Sequence, residues 1–202
     1  MKVHGTSTLF GVFVLSICHS VHALWPMPRN LQTGTTLVKL APTFDIQVQG
    51  ISQVPQDLLD AISRTKTRLH SDKHQRLVVG RGATDKTALT HAPSLSKLTL
   101  SVSGSKSLQS IMHETTKDIE SRSEGYSLSL PSSNSGTATI TADSSLGLLR
   151  GLTTFEQLFY DDGTGVSYTY QAPVTIKNDS PAYVRSHISL CTSLFSDKSL
   201  LK

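Results

Sequence analysis

Apolar residues along this chain recur with two different periods. Phe44, Ile46 and Val48 alternate with polar neighbours in a stretch that begins near Thr36. The same alternation recurs at Leu98, Leu100 and Val102, at Tyr126, Leu128 and Leu130, at Ala138, Ile140 and Ala142, and at Val166, Tyr168 and Tyr170. A period of two predicts strands with one buried face. Val174 and Ile176, after Pro173, extend the series. Two other stretches repeat at helical spacing. Leu58, Ile62 and Leu69 share one face of a helix that Pro55 opens and that ends near Ser71, with Arg64, Lys66 and Arg68 on the rest of its surface. Leu148, Leu152, Phe155 and Phe159, flanked by Leu149 and Leu158, make a second helix, capped by Asp143, Ser144 or Ser145 and ended by Asp161-Asp162-Gly163.

The connections are polar or rich in glycine and proline. Pro131 stops one strand and Ser132 to Gly136 supplies a turn, so 126–142 reads as a β-hairpin. Leu24 to Asn30 carries two prolines and reads as extended. Leu77 to Val79 is short and apolar, Ala83 to Pro93 reads as a loop, and Gly104 to Glu120 reads as irregular. No internal repeat is present. The sum predicts an α+β fold, an antiparallel sheet with two helices on one face.

The first residues change the picture of where the chain goes. Leu9 to Cys18 is an apolar stretch of secretory h-region length after Lys2 and His4, and Val21-His22-Ala23 places small residues where a signal peptidase cuts. Residues 1–23 are therefore read as a signal peptide, and the chain as secreted to the extracellular space or to a vacuole or lysosome-like compartment. Cys18 would leave with the signal, so Cys191 would have no internal disulfide partner. Charged residues make up 17% of the chain, below the usual ~25%. The net charge of +4 is scattered without a basic run, which argues against nucleic acid or a membrane as partner.

Four segments invite a chemical reading. His113-Glu114-Thr115-Thr116-Lys117 approaches the zinc motif H-E-x-x-H, but a cation stands where the second imidazole belongs. Gly80 to Thr87 approaches a phosphate-binding loop, but Asp85 replaces its second glycine and opposes phosphate charge. Asp161-Asp162 reads as a solvated turn. Asn178-Asp179-Ser180 is a glycosylation acceptor, with Pro181 directly behind it. No G-x-S-x-G elbow occurs, and no catalytic residue, metal ligand or cofactor site is assigned.

Several segments in order resemble the family-20 glycoside hydrolases, the β-N-acetylhexosaminidases, in the style of fungal members. They are Leu24-Trp25-Pro26-Met27-Pro28, Gly125-Tyr126-Ser127-Leu128, Gly136 to Asp143, Leu146 to Leu158, Ala172 to Ile176 and Asp179 to Tyr183. The run Gly147-Leu148-Leu149-Arg150-Gly151-Leu152-Thr153-Thr154-Phe155-Glu156-Gln157-Leu158 carries most of the likeness. The resemblance implies a small N-terminal α+β domain, zincin-like, over residues 24–183, placed ahead of a (β/α)₈ barrel. That barrel removes terminal N-acetylhexosamine from chitin oligomers and glycoconjugates by substrate-assisted attack of the 2-acetamido group, with an adjacent Asp-Glu pair and no cofactor. A barrel needs about 250 residues, so it has no room in a chain of 202. The expectation is a domain without hydrolytic activity whose partner is the catalytic barrel of a full-length homologue, or alternatively a secreted interaction module. After Tyr183 the likeness stops. The family's sugar-binding arginine is not carried onto Arg185, which comes one position early and lacks the proline before it. Val184-Arg185 is encodable as a splice-donor sequence, so residues 184–202 are read as a non-family tail produced by read-through.

Overall fold

The computed structural model describes residues 24–104, 107–133 and 136–179. The expected signal segment, Arg185, Cys191 and the rest of the tail lie outside the described residues.

The first strand, β1, spans Leu31–Gln49 and leads into helix α1, Gln56–Ser71. A short helix α2, Asp85–Leu89, precedes β2, Ser94–Val102. Helix α3, Ile111–Thr116, then precedes the hairpin of β3, Tyr126–Leu130, and β4, Thr137–Ala142. Helix α4, Ser145–Gln157, returns across the sheet to β5, Tyr160–Asp161, and the last strand β6, Ser167–Asp179. The six strands lie in the order β1-β2-β4-β3-β6-β5, and β1 also pairs with β6.

The α+β class holds, with α1 and α4 packed against each other and against the sheet. Strand direction differs from the expectation. β2 runs parallel to both β1 and β4, so the sheet is mixed rather than antiparallel. The reason is the long connection through α1, which brings the chain back over the sheet before β2 begins. β1 is long enough to pair with β6 over Leu31 to Lys39 and with β2 over Lys39 to Gln49, which draws the sheet round on itself.

Other boundaries also shift. Gly104 to Glu120 is not irregular throughout: Ser110 accepts the His113 N–H at 3.1 Å and starts α3. The Ala83–Pro93 segment contains α2. Helix α4 ends at Gln157 rather than at the Asp-Asp-Gly turn, because Asp161 joins β5. The two short strands expected around Pro173 are one continuous β6.

Packing explains why α4 lies so close to the strands. A Cβ on Gly147 would stand 2.5 Å from the Gly125 carbonyl oxygen, and one on Gly151 would stand 2.5 Å from Cγ2 of Ile140. Two glycines a turn apart thus let the helix backbone approach the sheet. Leu148, Leu152 and Phe155 then fill the layer, each fully buried, with Leu98, Leu100, Leu128 and Ile140 below them. Phe155 stacks on Phe44 at 6.1 Å and tilts against Phe159 at 4.9 Å. Each such side chain contributes about 1.5–3 kcal/mol by leaving water. The opposite sheet face is polar, with Thr99 beside Thr139 and Ser129 beside Thr175.

Candidate functional site

Two features stand at the end of the helix layer where α1 and α4 finish. The first is the N-terminal segment. Gln157, at the last position of α4, holds the backbone of Trp25 from both sides: its Oε1 accepts the Trp25 N–H at 2.6 Å and its Nε2 donates to the Trp25 carbonyl at 2.9 Å. At the other end, the Arg29 N–H donates to Oδ1 of Asp179 at 3.0 Å. Leu24 is buried in the core. The backbone of residues 24–29 is therefore fixed at both ends, while the Trp25 ring is 72% exposed and Met27 is 47% exposed.

The second is a cleft of about 380 Å³ beside it, with Gln157 in its wall. Leu69, Phe159 and Tyr160 give it an apolar side. On its other side two carboxylates, Glu156 and Asp161, have cationic partners, and a third, Asp72, stands near an imidazole. Arg68 meets Glu156 at 3.2 Å, Lys73 meets the buried Asp161 at 3.6 Å, and His74 stands 3.7 Å from Asp72. Glu156 also accepts from the Thr65 hydroxyl, and the Ser167 hydroxyl donates to the Leu69 carbonyl at the end of α1.

Behind the cleft, the connection from α1 to β2 folds around a polar cluster. The Arg76 guanidinium stacks on Tyr170 at 3.6 Å and donates to Asp85 at 2.6 Å. Tyr168 donates to the same Asp85 oxygen at 2.8 Å. Burial pushes the Tyr168 hydroxyl well above its usual 10.0, and the neighbouring carboxylate adds to the shift. Gly82, at φ +78, passes so close that a Cβ would stand 2.5 Å from that hydroxyl. This cluster displays Leu77 and Val79 to solvent at 82% and 106% exposure.

Of the segments singled out in the sequence, the phosphate-loop-like stretch and the Asp161-Asp162 turn adjoin, with Lys86 Nζ 3.9 Å from where a Cβ on Gly163 would stand. In the H-E-x-x-H-like stretch, Glu114 is buried and Lys117 donates to both its carboxylate oxygens at 2.8 and 2.7 Å, while His113, Thr115 and Thr116 are exposed. Among the described residues no group of three or more His, Cys, Asp or Glu is placed to hold a metal ion. In the phosphate-loop-like stretch, Asp85 is the acceptor at the centre of the Arg76 cluster. Asp161 and Asp162 form a turn in which they accept the N–H groups of Gly163 and Thr164, but Asp161 is buried rather than solvated. Asn178 is exposed at the end of β6 with φ 42, and Ser180 of its acceptor triplet lies outside the described residues. No helix among the described residues is long and apolar enough to cross a membrane. The cleft itself went unread in the sequence, because its residues come from three separate segments, 68–74, 156–161 and 167, with no shared spacing.

The sequence profile of a family described as beta-acetyl hexosaminidase like matches residues 24–158. No curated protein matches the chain. Among solved structures, a chitobiase from Flavobacterium johnsoniae is 19% identical, with a TM-score of 0.49, over 77% of this chain and 20% of that one. An inactive mutant of an exo β-N-acetylglucosaminidase from Vibrio harveyi is 16% identical, with a TM-score of 0.40, over 77% and 18%. A β-N-acetylhexosaminidase from Bacteroides fragilis is 11% identical, with a TM-score of 0.41, over 77% and 24%. The chain thus spans about a fifth to a quarter of the length of these structures.

Proposed function

The chain belongs to the beta-acetyl hexosaminidase-like family, and from that premise we propose that its domain is a non-catalytic support for a hexosaminidase barrel. It resembles the N-terminal domain of the family-20 enzymes, and the described residues form a single six-stranded sheet rather than a barrel of that kind. The enzyme so supported would remove terminal N-acetylhexosamine from chitin oligomers and glycoconjugates. It would act outside the cell or in a vacuole or lysosome-like compartment after removal of residues 1–23, with a glycan on Asn178. The domain would span residues 24–183.

One observation carries this reading. Trp25 is latched to Gln157 by two hydrogen bonds, yet its ring stands 72% exposed. Held hydrogen bonds with an unburied ring make a poor stabiliser of the domain itself and a ready anchor for a second one. The same segment is tied through Arg29 to Asp179, the last residue of β6. The face it presents is thereby set relative to the point where the chain leaves the sheet.

The test mixes the purified chain with a separately produced family-20 catalytic domain. Capture of the barrel, lost at least tenfold in Trp25→Asp and retained in Lys97→Asp on the opposite sheet face, supports the reading. Equal capture by both variants, or none by the parent chain, overturns it. Release of a chromogenic aglycone from an N-acetylglucosaminide by the chain alone also overturns it.

A further inference from the structure

We infer that the cleft at the ends of α1 and α4 receives a cationic side chain, lysine or arginine, of a partner polypeptide. Its volume, about 380 Å³, lies within the range of small-ligand pockets, roughly 300–1,000 Å³. Charge, free acceptors and the apolar side of the lining together select that ligand.

Charge comes first. Three carboxylates line the cleft, Asp72, Glu156 and Asp161. Two cations stand against them, Arg68 at 3.2 Å from Glu156 and Lys73 at 3.6 Å from Asp161. With the His74 imidazole neutral, one negative charge is left over, and it falls on Asp72. The free acceptors point the same way. Glu156 is spent, since Oε1 accepts from Thr65 and Oε2 from Arg68. Asp72 and Asp161 each use only Oδ1, which accepts from the Ser71 hydroxyl and from the Gly163 N–H respectively. Their Oδ2 atoms have His74 at 3.7 Å and Lys73 at 3.6 Å, both wider than a hydrogen bond. The Asp161 N–H donates to the His74 carbonyl at 2.7 Å, which holds the two segments that carry these carboxylates side by side.

An ammonium brings three donors and a guanidinium five, and neither carries a lone pair that would face the carboxylates. An anion would add to the excess charge. A bare metal ion finds no group of three or more His, Cys, Asp or Glu among the described residues, and it would leave the apolar side wet. That side, Leu69, Phe159 and Tyr160, covers the methylene stem of a lysine or arginine while its head reaches the carboxylates. The two rings add attraction for the cation. The margin favours a polypeptide over a free amine. Gln157 lies in the cleft wall and also pins Trp25, whose ring is 72% exposed. A chain that inserts a side chain here lays its backbone against that ring.

No barrel takes part in this site or in its test, so a failure here leaves the capture experiment as it stands. Trp25 is the one tryptophan in the sequence, so its fluorescence reports events at the cleft margin. The full chain is titrated with a blocked pentapeptide, lysine between pairs of glycines, following that emission and, in parallel, the amide resonances of Leu69 and Tyr160. The same peptide with norleucine for lysine, and butylamine, serve as the uncharged and the free-amine probes. The expected result is a saturable response to the lysine peptide, with a Kd on the order of 1–10 mM, and binding of the norleucine peptide at least tenfold weaker. Asp72→Asn removes the excess charge, and His74→Lys gives Asp72 a permanent cation. Both are checked for folding by circular dichroism, and each weakens binding at least tenfold. Asp60→Asn removes the same charge near the start of α1 and leaves binding unchanged. No saturation by the lysine peptide overturns the inference, as does equal binding of the norleucine peptide. Undiminished binding in both Asp72→Asn and His74→Lys also overturns it. Saturation by butylamine with none by the lysine peptide overturns it as well, and makes the cleft a site for a free amine.

Discussion

Helix α4 meets the sheet through Leu148, Leu152 and Phe155, side chains with no polar atom, while the connection from α1 to β2 is held by Arg76, Asp85, Tyr168 and Tyr170, side chains joined mainly through polar groups. The two regions adjoin at Tyr160 and Phe159 and solve different problems. Apolar packing tolerates no gap, so it fixes where a helix lies and leaves no room for a ligand. A polar cluster fixes single side chains by direction and spans a gap. The cleft lies where the second construction begins and the first ends. The contrast explains how one small domain is both rigid in its body and open at one margin.

The widest separation between the regions comes from deletion. Phe155→Ala removes a fully buried ring that touches both Phe44 and Phe159, and is expected to cost about 4 kcal/mol in global stability. Urea unfolding reads this as a lower midpoint at unchanged slope. Asp85→Asn removes the charge that accepts from Arg76 and Tyr168, at an expected cost of about 2 kcal/mol. Its effect should be local. Amide exchange is expected to speed up over residues 76–89 and to stay slow in β2, β4 and α4. Uniform acceleration across the sheet would break the comparison.

The difference between the regions is also the difference in what the sequence disclosed. Elements built on apolar periodicity were legible: Leu98 and Leu100 announce β2, Tyr126 and Leu128 announce β3, and Leu148 to Phe155 announce α4 with Ser144 before it. Periodicity says nothing about direction, so the parallel pairing of β2 was invisible. Short helices such as α2 and α3 have too few residues for a period to show. The polar end was not legible at all. Asp85 stood out only as a misfit in a phosphate loop, and its real partners lie 9 residues before it and 83 after it. The pairing of Gln157 with Trp25, across 132 residues, had one trace, since both belong to segments that resembled the family. The trace named the residues and not the bond between them.

Alkaline titration sharpens the contrast with a charge that neither region accommodates. Burial pushes the Tyr126 hydroxyl up to about 12, against which its bond with Thr154 works, with Asp179 nearby adding to the rise. A raised folded-state value means that the stabilising contribution is complete below the unfolded value of 10.0 and is lost as pH climbs from there through about 12. The loss is of the order of 2 kcal/mol. Tyr126→Phe is expected to flatten the decline between about pH 10 and 12, read by chemical unfolding at each pH. Tyr168 lies at the polar end and is shifted in the same direction. An equal flattening in Tyr168→Phe, with no change in Tyr126→Phe, would place the alkaline weakness at the polar end rather than in the core.

The smallest effect tests whether ion pairs matter anywhere outside the polar end. Lys66 on α1 donates to Oδ1 of Asp45 on β1 at 2.7 Å, at the margin of the packed layer. The hydrogen bond from Lys66, the largest influence on this group, holds the Asp45 carboxyl below its usual 3.8. A depressed folded-state value means that the pair stabilises above the ordinary carboxylate range and that this contribution disappears as pH falls through the folded value. Both side chains are about two-fifths exposed, 41% and 43%, so solvent screens the pair and its worth is a few tenths of a kcal/mol. Asp45→Asn is therefore expected to leave the urea midpoint at neutral pH nearly unchanged and to remove a small part of the acid-induced loss below about pH 4. Added salt near 1 M should reduce even that difference, because such an exposed pair is screened at this ionic strength. If Asp45→Asn instead costs as much as Asp85→Asn, polar bonding anchors the helix layer as firmly as the α1–β2 connection, and the division between an apolar body and a polar margin fails.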